Sequence, residues 1–274
     1  MLDGVMLLWF VLAAASVLFV AIDIRTTPES PVMKWGFVLV TAFIGVIGAF
    51  LYVLGCREPL PGTHELYVAA KWRQVLGSTM HCAAGDGVGI LAGAVLASVF
   101  HAAGLAEIAL EYVLGFGFGW MVFQALFMRD MAGGSYPRSL AMSFIPELLS
   151  MNLLMAGMVP VMMILRAVIG QPGGPATPVF WFVMSIALLV GFAVAYPMNW
   201  WLVGNGLKHG MMTVRPQAAM TGHSTHAGHG GGHEGHDMGH AAMAAEAPWP
   251  PVPVMAALSL VALGIGIAIA LAVG

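Results

Sequence analysis

The chain contains the stretch MHCAAGDG, in which His81, Cys82 and Asp86 all belong to residue types that ligate metals or carry protons. Cys82 and Asp86 are four residues apart and share one face of a helix, with His81 beside them. The stretch opens a long apolar run, and ionisable groups in a membrane span are costly and face the bundle interior or water. Imidazole, thiolate and carboxylate all bind transition metals, and a thiolate favours the softer ions. The plainer reading is a buried thiol flanked by polar groups that bond neighbouring helices.

A second group lies in SFIPELLSMNLLMAGMVPVMMILR. At helical spacing Glu147, Met151, Met155, Met158 and Met162 fall in a single stripe about 80° wide. Thioethers suit Cu(I) and ignore hard ions, so such a ladder could pass copper along a helix. Methionine is also a flexible gap-filler in cores, and packing accounts for much of the pattern. A carboxylate at the head of the stripe is what packing does not require. Pro146 and Pro160 would disturb the same helix and free backbone carbonyls.

The third group is TGHSTHAGHGGGHEGHDMGH, which sets His223, His226, His229, His233, His236 and His240 in a Gly-rich tract. Short His-rich tracts read as metal binding, and imidazole accepts Cu(II), Ni(II) and Zn(II) alike, so another divalent transition metal is possible here. Between this tract and the preceding apolar run lies YPMNWWLVGNGLKHGMM, which contributes His209, Met211 and Met212 as further candidate ligands. His101, Glu111 and Gln124 are additional polar residues in or near apolar runs, with no role beyond helix-to-helix hydrogen bonds.

HCAAGDG, PELLSMNLLMAGMVP and YPMNWWLVGNGLKHGMM together resemble a bacterial membrane family catalogued only as a domain of unknown function. The resemblance runs from about Lys71 to Met212. It implies that these residues belong together, and it brings no activity with it.

The elements that must position these residues are membrane helices. The chain has 274 residues, of which 59% are hydrophobic and 8% charged, with a mean hydropathy of +0.88. Soluble domains carry about 25% charged residues. A net charge of −3 argues against nucleic-acid binding, which wants a basic face. Two cysteines, Cys56 and Cys82, cannot make a disulfide framework.

Spans need about 20 apolar residues. Seven windows qualify: Val5–Ile24, Trp35–Gly55, Met80–Ala102, Ile108–Met128, Ser139–Leu165, Val179–Val203 and Val254–Val273. The expected fold is all-α, a polytopic transmembrane bundle of about seven spans. An interfacial amphipathic helix is expected over His64–Gly77. The organisation reads as two N-terminal helices (1–55), an interfacial segment (56–79), a four-helix core (80–212), a His/Gly-rich loop (213–250) and a last helix (251–274). Gly85, Gly89 and Gly93, with Gly266 and Ala270 in the last helix, mark close helix crossings.

With seven full spans, seven Lys/Arg fall on the side of the N-terminus and three on the other. The positive-inside rule then puts the N-terminus and the His-rich loop in the cytoplasm, with the C-terminus outside, in a bacterial inner membrane. The N-terminus lacks a cationic n-region, so its apolar run is expected to be retained. The functional expectation is a membrane protein that handles a soft transition metal, copper foremost, in transport, resistance or delivery, and that is not an enzyme. Its partners would be the lipid bilayer, the metal ion and other membrane subunits or copies of itself. Two alternatives remain: an accessory subunit of a larger membrane complex, and a redox protein holding haem or a metal at His81, His101 and His209.

Overall fold

A computed structural model describes residues 2–129, 132–170, 174–211 and 247–273. Met212 and all six tract histidines lie outside the described residues. Among those described, six helices are long and apolar enough to cross a membrane. They are α1 (Leu2–Asp23), α5 (Lys71–Phe100), α6 with its continuation (Leu105–Met128), α8 (Tyr136–Ile169), α9 (Pro178–Gly204) and α10 (Val252–Val273). Leu7, Leu18, Val261 and Ile265 are among the many large apolar side chains that point outward. Water would not tolerate that surface and lipid does, so the chain is an integral membrane protein.

The window expected as the second span is two shorter helices, α2 (Pro31–Ile44) and α3 (Val46–Gly55). They meet at Gly45, whose φ of 60° and ψ of −131° suit glycine alone. The pair is a hairpin. Tyr52 on α3 hydrogen-bonds Thr27 just before α2 (3.0 Å) and Asp23 at the end of α1 (2.8 Å). A straight helix over the same residues would hold its ends roughly 35 Å apart. The arms cross closely, since a Cβ on Gly48 would lie 2.6 Å from Thr41 Cα. Composition could not distinguish a crossing from a reversal, because both are apolar.

This hairpin changes which ends coincide. The end of α1, the start of α2, the end of α3 and the start of α5 lie together, joined by Arg57 to Asp23 (2.8 Å), His64 to Glu29 (3.1 Å) and Arg73 to the Leu54 carbonyl (3.3 Å). The Leu2 end of α1 therefore lies opposite the ends from which Lys71 and Lys208 come, where the seven-span count had put them on one side. Of the nine described Lys and Arg residues, Arg25, Lys34, Arg57, Lys71, Arg73, Arg129, Arg138 and Lys208 gather at one end, and only Arg166 stands at the other.

The interfacial helix is also shorter than expected. A turn of helix, α4 (His64–Val68), precedes a break at Ala70, and α5 then begins at Lys71 and runs on into the bundle. The glycine stripe behaves as its spacing predicts. Gly93 is pressed against Glu111 of α6, where an added Cβ would lie 2.6 Å from the Glu111 Cα, and Gly85 meets Phe123 at 2.9 Å in the same sense. In α10, Gly266 packs on Ala156 and Ala270 is buried, whereas Gly264 has nothing within 4 Å. One small-residue row of the last helix is a seam and the other faces outward.

Candidate functional site

Cys82 and Glu147 sit at matching depth on α5 and α8, and the Cys82 thiol donates to Glu147 Oε2 at 3.2 Å. Both are buried, Glu147 completely. Lys208, from the short segment after α9, turns back into the bundle and is itself 4% exposed. Its ammonium lies 3.5 Å from Glu147 Oε2 and donates to Asn199 Oδ1 at 2.9 Å. Asn199 is held in turn by Ser150, to whose hydroxyl its amide donates at 3.0 Å. A chain of polar groups thus runs across α5, α8 and α9, with the tethered ammonium at its centre.

Asp86 is one helical turn beyond Cys82 and completely buried. Its carboxyl and that of Glu147 converge on Gly119 of the neighbouring helix. A Cβ added there would meet Glu147 Oε1 at 2.8 Å and Asp86 Oδ1 closer still. Only a residue without a side chain lets the two carboxyls come together at this place. Gly119 also opens a π-helical stretch, Gly119–Gln124, between α6 and α7 (Ala125–Met128). Wide turns of this kind recur at functional sites. The two carboxyls face each other, and neither Asp86 oxygen nor Glu147 Oε1 meets a donor group among the described residues. Two carboxyls face one ammonium, so in a low-dielectric interior the second carboxyl requires a proton or a further cation.

His81 does not join this cluster. Its ring packs on Phe123 and Phe127, with centroids 5.5 and 5.0 Å away. Successive helix positions diverge by about 100°, which turns His81 toward α2 and α7 while Cys82 faces α8. Met211 is buried against Gly77, and His209 is exposed. The four ladder methionines, Met151, Met155, Met158 and Met162, are all buried, at 0 to 4% exposure. The first rung, Met151, reaches Gly115 beside the Asp86 backbone. Among the described residues no three His, Cys, Asp or Glu side chains converge to hold a metal ion. Reading the sequence picked out Asn199 and Lys208 in the segment after the sixth apolar run without giving them a role, and missed Ser150 and Gly119 as members of the site. The available signal for Lys208 was a lone cation in an otherwise apolar and Gly-rich segment.

The fold and this cluster define the class: a polytopic helical membrane protein with a thiol, two carboxyls and an ammonium enclosed in its bundle. Residues 71–208, half of the chain and every member of the cluster, match the model of a family described as Domain of unknown function (DUF4396), and the chain belongs to that family. Comparison with curated proteins and with solved structures gave no match.

Proposed function

We propose that this protein handles a soft metal cation within the membrane, Cu(I) foremost, in transport, resistance or delivery, and that the ion docks between Cys82 and Glu147 in place of the Lys208 ammonium. One observation carries the reading. A thiol and two carboxyls are buried with a single ammonium as counter-charge, and that ammonium hangs on a short segment outside the helices. Docking would exchange charges in balance. Cu(I) takes the place of the thiol proton, which passes to the Glu147 carboxylate as the Lys208 ammonium withdraws, so one cation replaces another and the buried site stays neutral. A thiolate with thioethers nearby favours a soft ion over the hard ions abundant in cells. Two or three such donors satisfy this reading without a cluster of hard ligands.

The end that carries eight of the nine described Lys and Arg residues faces the cytoplasm in this proposal, in a bacterial inner membrane. Both the Leu2 end of α1 and the Val273 end of α10 then face outward. The His tract, which follows Lys208 in the chain, would capture ions on the cytoplasmic side.

The test is titration of the purified full-length protein with Cu(I) against a coloured chelator under reducing conditions. Cys82→Ser and Glu147→Gln should each weaken binding of one ion at least tenfold while helix content stays the same. Unchanged affinity in both variants refutes the proposal. A second reading, an accessory subunit of a larger complex, is favoured by the tight packing of the Met ladder and would then take its place.

A further inference from the structure

At the opposite end of the bundle a cavity of about 580 Å³ opens between α5, α6, α8 and the end of α10. Glu107 and Arg166 form an ion pair across it at 2.9 Å, each about one-fifth exposed. Beyond this pair a smaller space of about 20 Å³ continues inward between α6 and α8, enough for one water or one bare ion. Its lining includes Glu111, Met162 and Met163. Glu111 is 2% exposed, and its Oε1 has no hydrogen-bond partner among the described residues.

Each of these features has an ordinary explanation taken alone. Taken together they describe a ligand set. A carboxyl enclosed by apolar helices needs a proton or a cation in its place, and the Arg166 guanidinium is already committed to Glu107. Thioethers add no charge but do add soft donors, which hard cations ignore. Glu107 and Glu111 alone fall short of a hard-ion site; Met162 and Met163 change its character. Met162 is also the last rung of the ladder whose first rung lies beside Asp86, about 16 Å away along α8.

We infer a second soft-cation site at this end of the bundle, in which Glu111 supplies the charge, Met162 and Met163 supply sulfur, and the larger cavity gives access from water. The inference rests on the proposed function for the identity of the ion. Its place and its ligands are independent of the Cys82 cluster. The Glu107–Arg166 pair stands at the mouth, where it offsets part of the negative charge and holds α6 to α8.

The experiment uses the full-length protein in detergent, under reducing conditions, with Cu(I) as the probe and a coloured chelator as competitor. The His tract is present in every variant and cancels in the differences. Glu111→Gln should remove one tightly bound ion per chain, or weaken it at least tenfold. The double variant Met162→Leu, Met163→Leu should do the same and lower the sulfur ligation seen by X-ray absorption in a Cys82→Ser background. Leucine keeps the packing volume, so this variant serves should Glu111→Gln fail to fold. If Cys82→Ser removes an ion while both cavity variants bind as the wild type does, the second site is overturned and the cluster reading stands. If the cavity variants lose an ion and Cys82→Ser does not, the second site stands and the cluster reading falls.

Discussion

Replacing Lys208 by methionine tests the charge balance of the buried cluster directly. The variant keeps the apolar stem and removes the ammonium that faces Glu147 at 3.5 Å and Asn199 at 2.9 Å. Breaking a buried pair by removing one partner costs about 3–5 kcal/mol when the other stays charged. Losing the bond to Asn199 adds about 1.5–3 kcal/mol. Unfolding of wild type and variant in mixed micelles should therefore show a deficit of roughly 4–8 kcal/mol, and Lys208→Arg should recover part of it. The variant should also bind Cu(I) more tightly than the wild type, because its built-in competitor is gone. No deficit, or an unchanged affinity, would show that Lys208 is not the counter-ion of this site.

Gly119→Ala should separate Asp86 from Glu147, cost about 1–3 kcal/mol by overpacking, and weaken Cu(I) binding; wild-type affinity in a folded variant would remove Gly119 from the argument. Deleting Gly222–His240 should lower the number of bound metal ions without changing the unfolding midpoint, and a fall in the midpoint would mean that the tract packs on the bundle. In a background lacking Cys56 and Cys82, a cysteine at Asp3 should react with membrane-impermeant reagents in intact cells, and one at Ser224 only after lysis. The opposite pattern would invert the proposed orientation.

Much of this architecture is legible in the residues. Six of the seven apolar windows are helices of spanning length, because a run of some 20 apolar residues has few other stable forms in lipid. The Gly85–Gly93 stripe and the Glu147–Met162 stripe face inward as their spacing requires. Cys82, Asp86 and Glu147 come together because α5 and α8 start at the same end, which needs only counting. His81 is separated from them by its neighbour's rotation, and adjacency in sequence was a poor guide there. Lys208 could be singled out in its segment but given no role, because a cation after a helix reads as solvated. Nothing local reveals that its segment folds back until its hydrogen bonds to Asn199 and Glu147 are seen. Gly45 gave a weak sign of the hairpin, since a glycine in mid-span is common in membrane helices.

The α2–α3 hairpin bears on how the chain is inserted as it is made. Its two arms together are long enough to be threaded as one crossing, and every later helix would then enter upside down. Threaded that way, the described basic residues divide six to three: Arg57, Lys71, Arg73, Arg129, Arg138 and Lys208 against Arg25, Lys34 and Arg166. Folded back, they divide eight to one. Lys34 in the first turn of the first arm and Arg57 after the second hold both feet of the loop at the same surface, and Gly45 lets the backbone reverse against Ala13 and Trp9 of α1. The decision between two mirror topologies therefore falls on two residues at the surface and one glycine in the bilayer interior. A chain altered at those three positions has a competing inserted form, apolar enough to persist, in which the buried site would open toward the wrong compartment.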